Sequence, residues 1–139
     1  MNAIDTNVLV YRLDRNEPGK QAKARDLLRQ LRVDPTPTIL LWQVAGEFVR
    51  QLRAWKDQKK ITSQTLDRYA AGLRRLFPLV MPTPAVLDRA IDLANRWSLS
   101  HWDSMILGAC LEAGVDTLYT EDMGSPTTIE RVRLINPFV

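Results

Sequence analysis

Cysteine and histidine are nearly absent from this chain, which has one of each, Cys110 and His101. A single cysteine excludes a disulfide within the chain, and one cysteine with one histidine cannot supply the ligands of a Cys/His zinc site. The compartment we expect is therefore a reducing cytoplasm. Any catalytic metal must use oxygen ligands. We expect Cys110, inside an apolar helical stretch, to lie in the core, and His101 to be a surface residue.

Long hydrophobic runs are missing as well. None approaches the roughly 20 residues that cross a bilayer, and Asp5 interrupts the first apolar stretch, so we expect neither a membrane span nor a secretory signal. The 139 residues are 45% hydrophobic and 25% charged. This composition predicts a single globular domain, residues 1–139, with a core of its own.

The charges are unevenly distributed along the chain. Residues 1–75 hold 15 Lys and Arg against 8 Asp and Glu, a net +7, whereas residues 76–139 hold 4 against 8, a net −4. This division suits a polyanion held over a group of carboxylates. Solvated faces of amphipathic helices would give the same pattern. Nucleic acid is thus a candidate partner, and the candidate contacts are Arg12, Arg15, Arg50 and Arg53.

Short apolar runs alternate with stretches of helical periodicity. The predicted strands are residues 3–4, 38–41, 77–81, 117–119 and 132–135. The predicted helices are residues 7–13, 18–31, 42–55, 63–76, a helix that begins at Pro84, and 101–113, with a turn of helix near 128–131. Because strands alternate with helices, we expect a parallel α/β sheet covered on both faces.

Several local features refine this prediction. Thr6 or Asn7 is expected to cap the first helix, and Thr62, Thr83 and Ser100 to cap later ones, because Ser, Thr and Asn accept hydrogen bonds from free backbone N–H groups. Gly114 is expected to end the last long helix. The helix after Pro84 is predicted to bury one stripe of apolar residues: Val86, Leu87, Ala90, Ile91, Ala94 and Trp97.

Four acids stand where strands end or where helices begin: Asp5, Glu47, Asp103 and Asp122. Taken singly, each has a simpler role as a turn, cap or solvated residue. Because carboxyl ends of parallel strands share one edge of the sheet, however, all four are expected to converge there. Clustered acids repel unless a cation neutralises them, and Mg²⁺ or Mn²⁺ prefers such oxygens.

A divalent ion in such a site activates water and binds phosphate oxygens. The chemistry we predict is therefore phosphodiester hydrolysis without a histidine, cysteine or serine nucleophile. Thr6 and Thr120 directly adjoin acids and are candidates to orient carboxylates or bound water, although roles as caps or turn residues explain them equally well.

Several segments resemble PIN-domain ribonucleases, and among these the VapC toxins of bacterial toxin–antitoxin pairs. They are Ile4-Asp5-Thr6-Asn7-Val8-Leu9, the unit bearing Glu47, Ser100-His101-Trp102-Asp103-Ser104-Met105-Ile106, Leu118-Tyr119-Thr120-Glu121-Asp122-Met123 and the closing Val132-Arg133-Leu134-Ile135-Asn136-Pro137-Phe138. The resemblance covers essentially the whole chain, and the four acid-bearing blocks in this order are its specific part.

The resemblance implies a PIN-like three-layer α/β sandwich with a central parallel sheet of about five strands. It also implies Mg²⁺- or Mn²⁺-dependent endoribonuclease activity, with Asp5, Glu47, Asp103 and Asp122 as metal ligands and Thr120 as a supporting hydroxyl. Many relatives carry a further Asp at the place of Gly124, so a fifth acid is missing here, which favours one well-bound ion over two without fixing the number. Glu121 ranks below Asp122 as an auxiliary acid.

Partners follow from the same resemblance. It implies an RNA substrate, a homodimer, and a cognate antitoxin that lies over the site. We place part of the antitoxin contact on the bulky helical hairpin of residues 42–77.

Two other functions fit parts of the pattern. A phosphoacceptor signalling domain also groups acids at strand ends, but it needs an acidic pair after the first strand and a Lys after the last. This chain has Asp5-Thr6 and no Lys beyond Lys60. A non-catalytic RNA- or protein-binding module would keep the fold and use the acids for a structural ion.

Overall fold

Six strands and six helices are formed by residues 1–123 and 127–139, which are the residues that this computed structural model describes. The strands are β1 (Asn2–Ile4), β2 (Thr38–Leu41), β3 (Leu79–Val80), β4 (Thr117–Tyr119), β5 (Thr128–Ile129) and β6 (Val132–Ile135). The helices are α1 (Thr6–Leu13), α2 (Pro18–Val33), α3 (Trp42–Asp57), α4 (Ser63–Leu76), α5 (Pro84–Arg96) and α6 (His101–Ala113).

The described strands form one sheet in the order β3-β2-β1-β4-β6-β5. Neighbouring strands are parallel except for the last pair, β5 and β6. Every residue of β1 and β2 is buried, so both faces of the central sheet are covered, as is usual for parallel sheets. The predicted α/β class is confirmed, with six described strands in place of about five.

The register brings several carboxyl ends of strands to one edge. Just beyond β1, the backbone N–H of Asp5 donates to the carbonyl of Tyr119, 2.9 Å away, at the end of β4. Just beyond β4, the N–H of Thr120 donates to the carbonyl of Ile135 at 2.9 Å. Helix α3 begins directly after β2. Asp5, Thr120 and the first turn of α3 therefore lie on the same edge.

Two helices begin as predicted. The Thr62 hydroxyl accepts a hydrogen bond from the N–H of Thr65, and the Ser100 hydroxyl accepts one from the N–H of Asp103, each at 3.1 Å. Gly114 ends α6 with φ +78°, a left-handed conformation that glycine adopts without the steric cost of a side chain. Thr62 and Ser100 thus satisfy backbone donors that the first turn of a helix leaves free.

Of two other capping predictions, one is wrong and one holds for the position only. The N-cap of α1 is Asp5, whose carboxylate accepts from the N–H of Thr6, so the helix begins one residue earlier than expected. Neither Thr6 nor Asn7 is the cap. Thr83 precedes α5, but its side chain makes no capping hydrogen bond. An acid at the N-terminal end of α1 also lies favourably in the helix dipole.

The predicted apolar stripe of α5 is also partly wrong. Leu87 and Ile91 are 55% and 62% exposed. The buried side chains of α5 are Val86, Ala90 and Leu93. Helix α6 approaches α5 closely at Gly108, where a Cβ atom would lie 3.0 Å from the Val86 carbonyl oxygen. Because the two helices are so close, only a narrow face of α5 is buried against α6, and Leu87 and Ile91 lie outside that face.

The end of the chain departs from the prediction as well. Residues 128–131 are not a turn of helix, because β5 and β6 form an antiparallel hairpin whose turn contains Glu130 at φ +54°. The strand predicted at 77–81 is shortened to β3 between Pro78 and Pro82. The sequence also predicts a loop at residues 123–126, of which residues 124–126 lie outside the described residues.

Over residues 1–123 and 127–139, no helix combines the length and apolar character needed to cross a membrane.

Candidate active site

Asp5 is the most buried of the four predicted acids, with 5% of the residue exposed. One carboxylate oxygen accepts from the N–H of Thr6 and the other from the hydroxyl of Thr120, both at 2.7 Å. These short bonds to a charged acceptor are of the stronger kind. The start of α1 and the residue that follows β4 therefore fix the orientation of the Asp5 carboxylate.

The charge on Asp5 is nevertheless costly. Burial is the largest effect and raises the pKa of Asp5 above its usual value, the hydrogen bonds from Thr120 and Thr6 lower it, and the charges of Asp122 and Glu47 raise it further. The net pKa is raised, so desolvation and repulsion outweigh the hydrogen bonds. Asp5, Glu47 and Asp122 thus interact electrostatically, as the sequence predicts.

Glu47 projects from α3 towards Asp5 and is held by two side chains. Its Oε2 accepts from the Thr6 hydroxyl at 2.8 Å, and its Oε1 accepts from the Gln43 amide at 3.0 Å. The hydroxyls beside the acids, on Thr6 and Thr120, therefore each bind a predicted acid directly. These contacts have the geometry that the predicted orienting role requires.

Gln43 also connects Glu47 to the first turn of α6. Its amide nitrogen lies 3.3 Å from the carbonyl oxygen of Trp102, in the first turn of α6, which Asp103 shares. Asp103 itself is half-buried. Gln43 was missed by the sequence analysis, although its position one helical turn before Glu47 on the same helix face was a usable signal.

Asp122 lies at the exposed side of the group. Its Oδ2 accepts from the Asn7 amide at 3.1 Å, and its backbone N–H donates to the Thr120 hydroxyl at 3.3 Å. The amide oxygen of Asn7 is buried and has no hydrogen-bond partner among the described residues. Asn7, predicted only as a cap, therefore places a further free oxygen beside the acids.

No described lysine, arginine or histidine lies within 4.0 Å of the carboxylates of Asp5, Glu47, Asp103 or Asp122. Glu121 differs, because it pairs with Lys20. Burial raises the pKa of Glu121, but its hydrogen bonds, chiefly from Lys20, outweigh this and hold the pKa below its usual value. Glu121 is therefore already neutralised within the chain.

The uncompensated group fits a hard divalent cation by its chemistry, since it offers carboxylate and amide oxygens and no nitrogen or sulfur donor. In the described part of the chain, however, no three His, Cys, Asp or Glu side chains lie close enough together to bind one ion between them. Mg²⁺ commonly takes one or two carboxylates and keeps several waters. The arrangement suits that mode, with the remaining acids acting through water.

The other candidate residues lie elsewhere. His101 is exposed, and its ring packs edge-to-face on Trp102 at 4.5 Å between ring centres. Cys110 is fully buried in the core, and burial raises the pKa of its thiol. Both match the prediction. Gly124, the position that bears on a fifth acid, lies outside the described residues.

Comparisons with known proteins agree with this architecture. The model of the PIN domain family matches residues 3–125 of this chain. A search of curated proteins found no match. Among solved structures, VapC20 of Mycobacterium tuberculosis, described as a sarcin-ricin loop cleaving toxin, superposes with a TM-score of 0.63 at 15% identity, covering 88% of this chain and 90% of that one.

A second solved structure is a chain of a toxin–antitoxin complex from Klebsiella pneumoniae. It superposes with a TM-score of 0.65 at 17% identity, covering 99% of this chain and 98% of that chain. At these identities the likeness establishes a shared fold.

The raised pKa of Asp5 makes a prediction about stability. An acid whose pKa is higher in the folded state than in the unfolded state, where it is near 3.8, lowers the free energy of unfolding once it ionises. The loss grows as the pH rises from the unfolded-state pKa to the folded-state pKa, and it stays constant above that. With EDTA present, Asp5→Asn is therefore expected to unfold at a higher temperature than the wild type at pH 7. The difference should shrink as the pH falls towards 4.

Thermal unfolding followed by circular dichroism measures this, and Asp88→Asn, at an exposed position on α5, is the matched control. Equal unfolding temperatures for wild type and Asp5→Asn at pH 7 in EDTA would show that the buried charge is not destabilising.

Proposed function

The chain belongs to the PIN domain family, and on that premise we propose that it is a divalent-metal-dependent endoribonuclease, the toxin of a toxin–antitoxin pair. Residues 1–139 act as one unit in this proposal. It is carried by the buried Asp5 carboxylate, which is electrostatically coupled to two further acids and has no basic partner among the described residues. The two structural neighbours, a toxin and a chain of a toxin–antitoxin complex, support it.

Asp5, Glu47, Asp103 and Asp122 would hold Mg²⁺ or Mn²⁺ in this proposal. When bound, the ion supplies a Lewis acid that activates water and neutralises charge on the phosphodiester. The N–H of Thr6 and the hydroxyl of Thr120 donate to different oxygens of the Asp5 carboxylate. Each carboxylate oxygen can accept about two hydrogen bonds or metal contacts. One acceptor site on each oxygen therefore stays free.

Other residues position the acids in the proposed site. Thr6 and Gln43 each bind one of the two oxygens of Glu47, so that its carboxylate cannot turn away from Asp5 without breaking a hydrogen bond. Asn7 holds Asp122 at the exposed rim, where an RNA strand would enter. Ordered support of this kind is worth about 10–100-fold in metal affinity or activity in known metal sites.

The proposal predicts RNA cleavage that depends on these acids. Purified protein should cleave RNA in Mg²⁺ or Mn²⁺, and EDTA should abolish cleavage. Asp5→Asn and Asp103→Asn should each lower the cleavage rate by at least about 100-fold, since loss of a supporting residue alone costs up to that much. The measurement is the rate of product formation from a 5′-labelled single-stranded RNA and from total RNA.

Asp88→Asn is the matched control and should cleave at the wild-type rate, because Asp88 is exposed on α5 and lies outside the acid group. Full cleavage by both Asp5→Asn and Asp103→Asn would refute the proposal. Tight RNA binding with no cleavage in Mn²⁺ would favour the non-catalytic binding module instead.

A homodimer is part of the same proposal. The large apolar residues Trp42, Met81, Leu87, Ile91 and Trp102 are each 50–62% exposed. Trp42, Met81 and Trp102 line an apolar cavity of about 330 Å³, and Thr83 contributes to the same cavity. Leu87 and Ile91 follow Thr83 at intervals of one helical turn along α5. Apolar patches of this kind mark protein interfaces. We propose that a second copy of the chain covers this face.

Ile91→Glu is therefore expected to convert the dimer into a monomer. Light scattering coupled to size-exclusion chromatography measures the mass. Val33→Glu is the control, because Val33 is 82% exposed on α2, outside this patch, and it should leave the dimer intact. A wild-type chain that is monomeric at micromolar concentration would contradict the dimer.

As a further part of the proposal, part of the antitoxin contact lies on the hairpin of α3 and α4, residues 42–77. The structural likeness to a chain of a toxin–antitoxin complex supports an antitoxin as the partner. Co-purification with the product of an adjacent small gene, with loss of cleavage in the complex, is the test. Unchanged cleavage in such a complex would oppose it.

A further inference from the structure

A second surface of the chain concentrates positive charge, most of which has no acid beside it among the described residues. We call it the arginine track, and it consists of Arg12, Arg25, Arg29, Arg32, Arg68 and Arg75. We propose that the arginine track binds the sugar–phosphate backbone of single-stranded RNA beside the cleavage site. This inference rests on the proposed function for its substrate, but it concerns residues that the acid group does not include.

Adjoining cavities connect these residues. Arg12 lines two cavities of about 220 Å³ each. The first is also lined by Arg25, Arg29 and Arg32, with Leu28 and Leu76. The second is also lined by Arg68 and Arg75, with Phe48 and Leu73 among its apolar residues. Apolar side chains therefore lie among the arginines in both cavities.

The track continues into a larger cavity. Arg68 and Tyr69 line both the second cavity and a third of about 520 Å³, to which Arg15, Lys60 and Trp55 also contribute. The only acid in its lining, Asp14, accepts a hydrogen bond from the backbone N–H of Asn16 at 3.0 Å. The larger cavity therefore adds further basic residues and two aromatic residues, Trp55 and Tyr69, next to the track.

Few of these charges are paired. Among the described residues, Arg29 alone of the arginine track has a carboxylate within 4.0 Å, that of Asp26 at 3.3 Å, and both side chains are largely exposed. Exposed pairs of this kind contribute little. The positive charge of the track is therefore available to an anion.

The arginines are also crowded against one another. The Nε of Arg25 donates to the carbonyl of Arg12 at 3.3 Å, at the end of α1. Burial, and then the charges of Arg25 and Arg32, hold the pKa of the Arg12 guanidinium below its usual value. Like charges held together in this way cost free energy, which a bound polyanion would recover.

One observation favours RNA over an acidic peptide, since guanidinium groups form paired hydrogen bonds with phosphate and carboxylate oxygens alike. The guanidinium of Arg68 lies 5.6 Å from the centre of the Tyr69 ring, and unpaired bases stack on such aromatic and guanidinium planes. An acidic peptide would use the charge but would have no need of the rings.

The position of the track also suits one strand that passes over both sites. Asp5 caps the start of α1, and Arg12 lies in its last turn. At about 1.5 Å per residue, the two ends are roughly 10 Å apart along the helix. A short stretch of extended RNA can therefore contact the acid group and the arginine track together.

Salt dependence of RNA binding tests the inference. Binding of a labelled, unstructured single-stranded RNA is measured in EDTA, which prevents cleavage, at several salt concentrations. Each phosphate contact contributes about 0.7 to the slope of log K against log salt for a single strand. Arg25→Ala with Arg32→Ala should therefore reduce the slope by about 1.4 and weaken binding.

Two controls separate charge from fold. Arg89→Ala with Arg133→Ala removes the same charge from α5 and β6, outside the track, and should leave the slope at the wild-type value. Arg25→Lys with Arg32→Lys keeps the charge and should retain most of the slope. Unfolding temperatures of all variants show whether each is folded.

The outcomes distinguish this inference from the proposed function. A wild-type slope in Arg25→Ala with Arg32→Ala, with metal-dependent cleavage intact, would overturn the track alone. If the wild type does not cleave RNA but the double variant shows the expected reduction in slope, the proposed nuclease activity is overturned and the RNA-binding role of the arginine track stands. The double variant Arg25→Ala with Arg32→Ala could also lose binding to a poly-glutamate peptide while its salt slope for RNA stays at the wild-type value. That result would identify a protein-binding surface and overturn the inference.

Discussion

The structure of the site depends on one hydrogen bond inside the sheet, from the Thr120 hydroxyl to the Asp5 carboxylate at 2.7 Å. It joins the ends of two adjacent parallel strands, so it exists only if β1 and β4 pair in this register. Buried carboxylates are otherwise avoided, because desolvation disfavours their charge. A side chain kept there against that cost is a candidate for function.

Much of this could be predicted from the sequence. The acids at positions 5 and 122 follow short apolar runs, and a parallel sheet brings such positions to one edge regardless of which strands are neighbours. Hydroxyls next to those acids were likewise visible. Helices with a Ser or Thr cap and a clear apolar period, such as α4 and α6, were predicted to the residue.

The errors have physical causes of their own. Periodicity shows that a helix has an apolar face, but the close contact at Gly108 decides which residues of α5 it includes. The hairpin of β5 and β6 depends on pairing across the sheet that a four-residue window does not reveal. Gln43 was missed because its role is to connect Glu47 on its own helix with a backbone carbonyl on α6, and that contact is absent from a linear pattern.

The uneven charge of the chain acquires a spatial meaning in this account. The basic first half supplies the arginine track, and acids from both halves meet at the sheet edge. The central claim is that those acids bind a divalent ion. Anomalous diffraction from crystals grown with Mn²⁺ tests it most directly. The account predicts a manganese peak within about 2.0–2.6 Å of an Asp5 carboxylate oxygen; well-ordered crystals that show Asp5 with no such peak, or bound to a lysine or arginine, would contradict it.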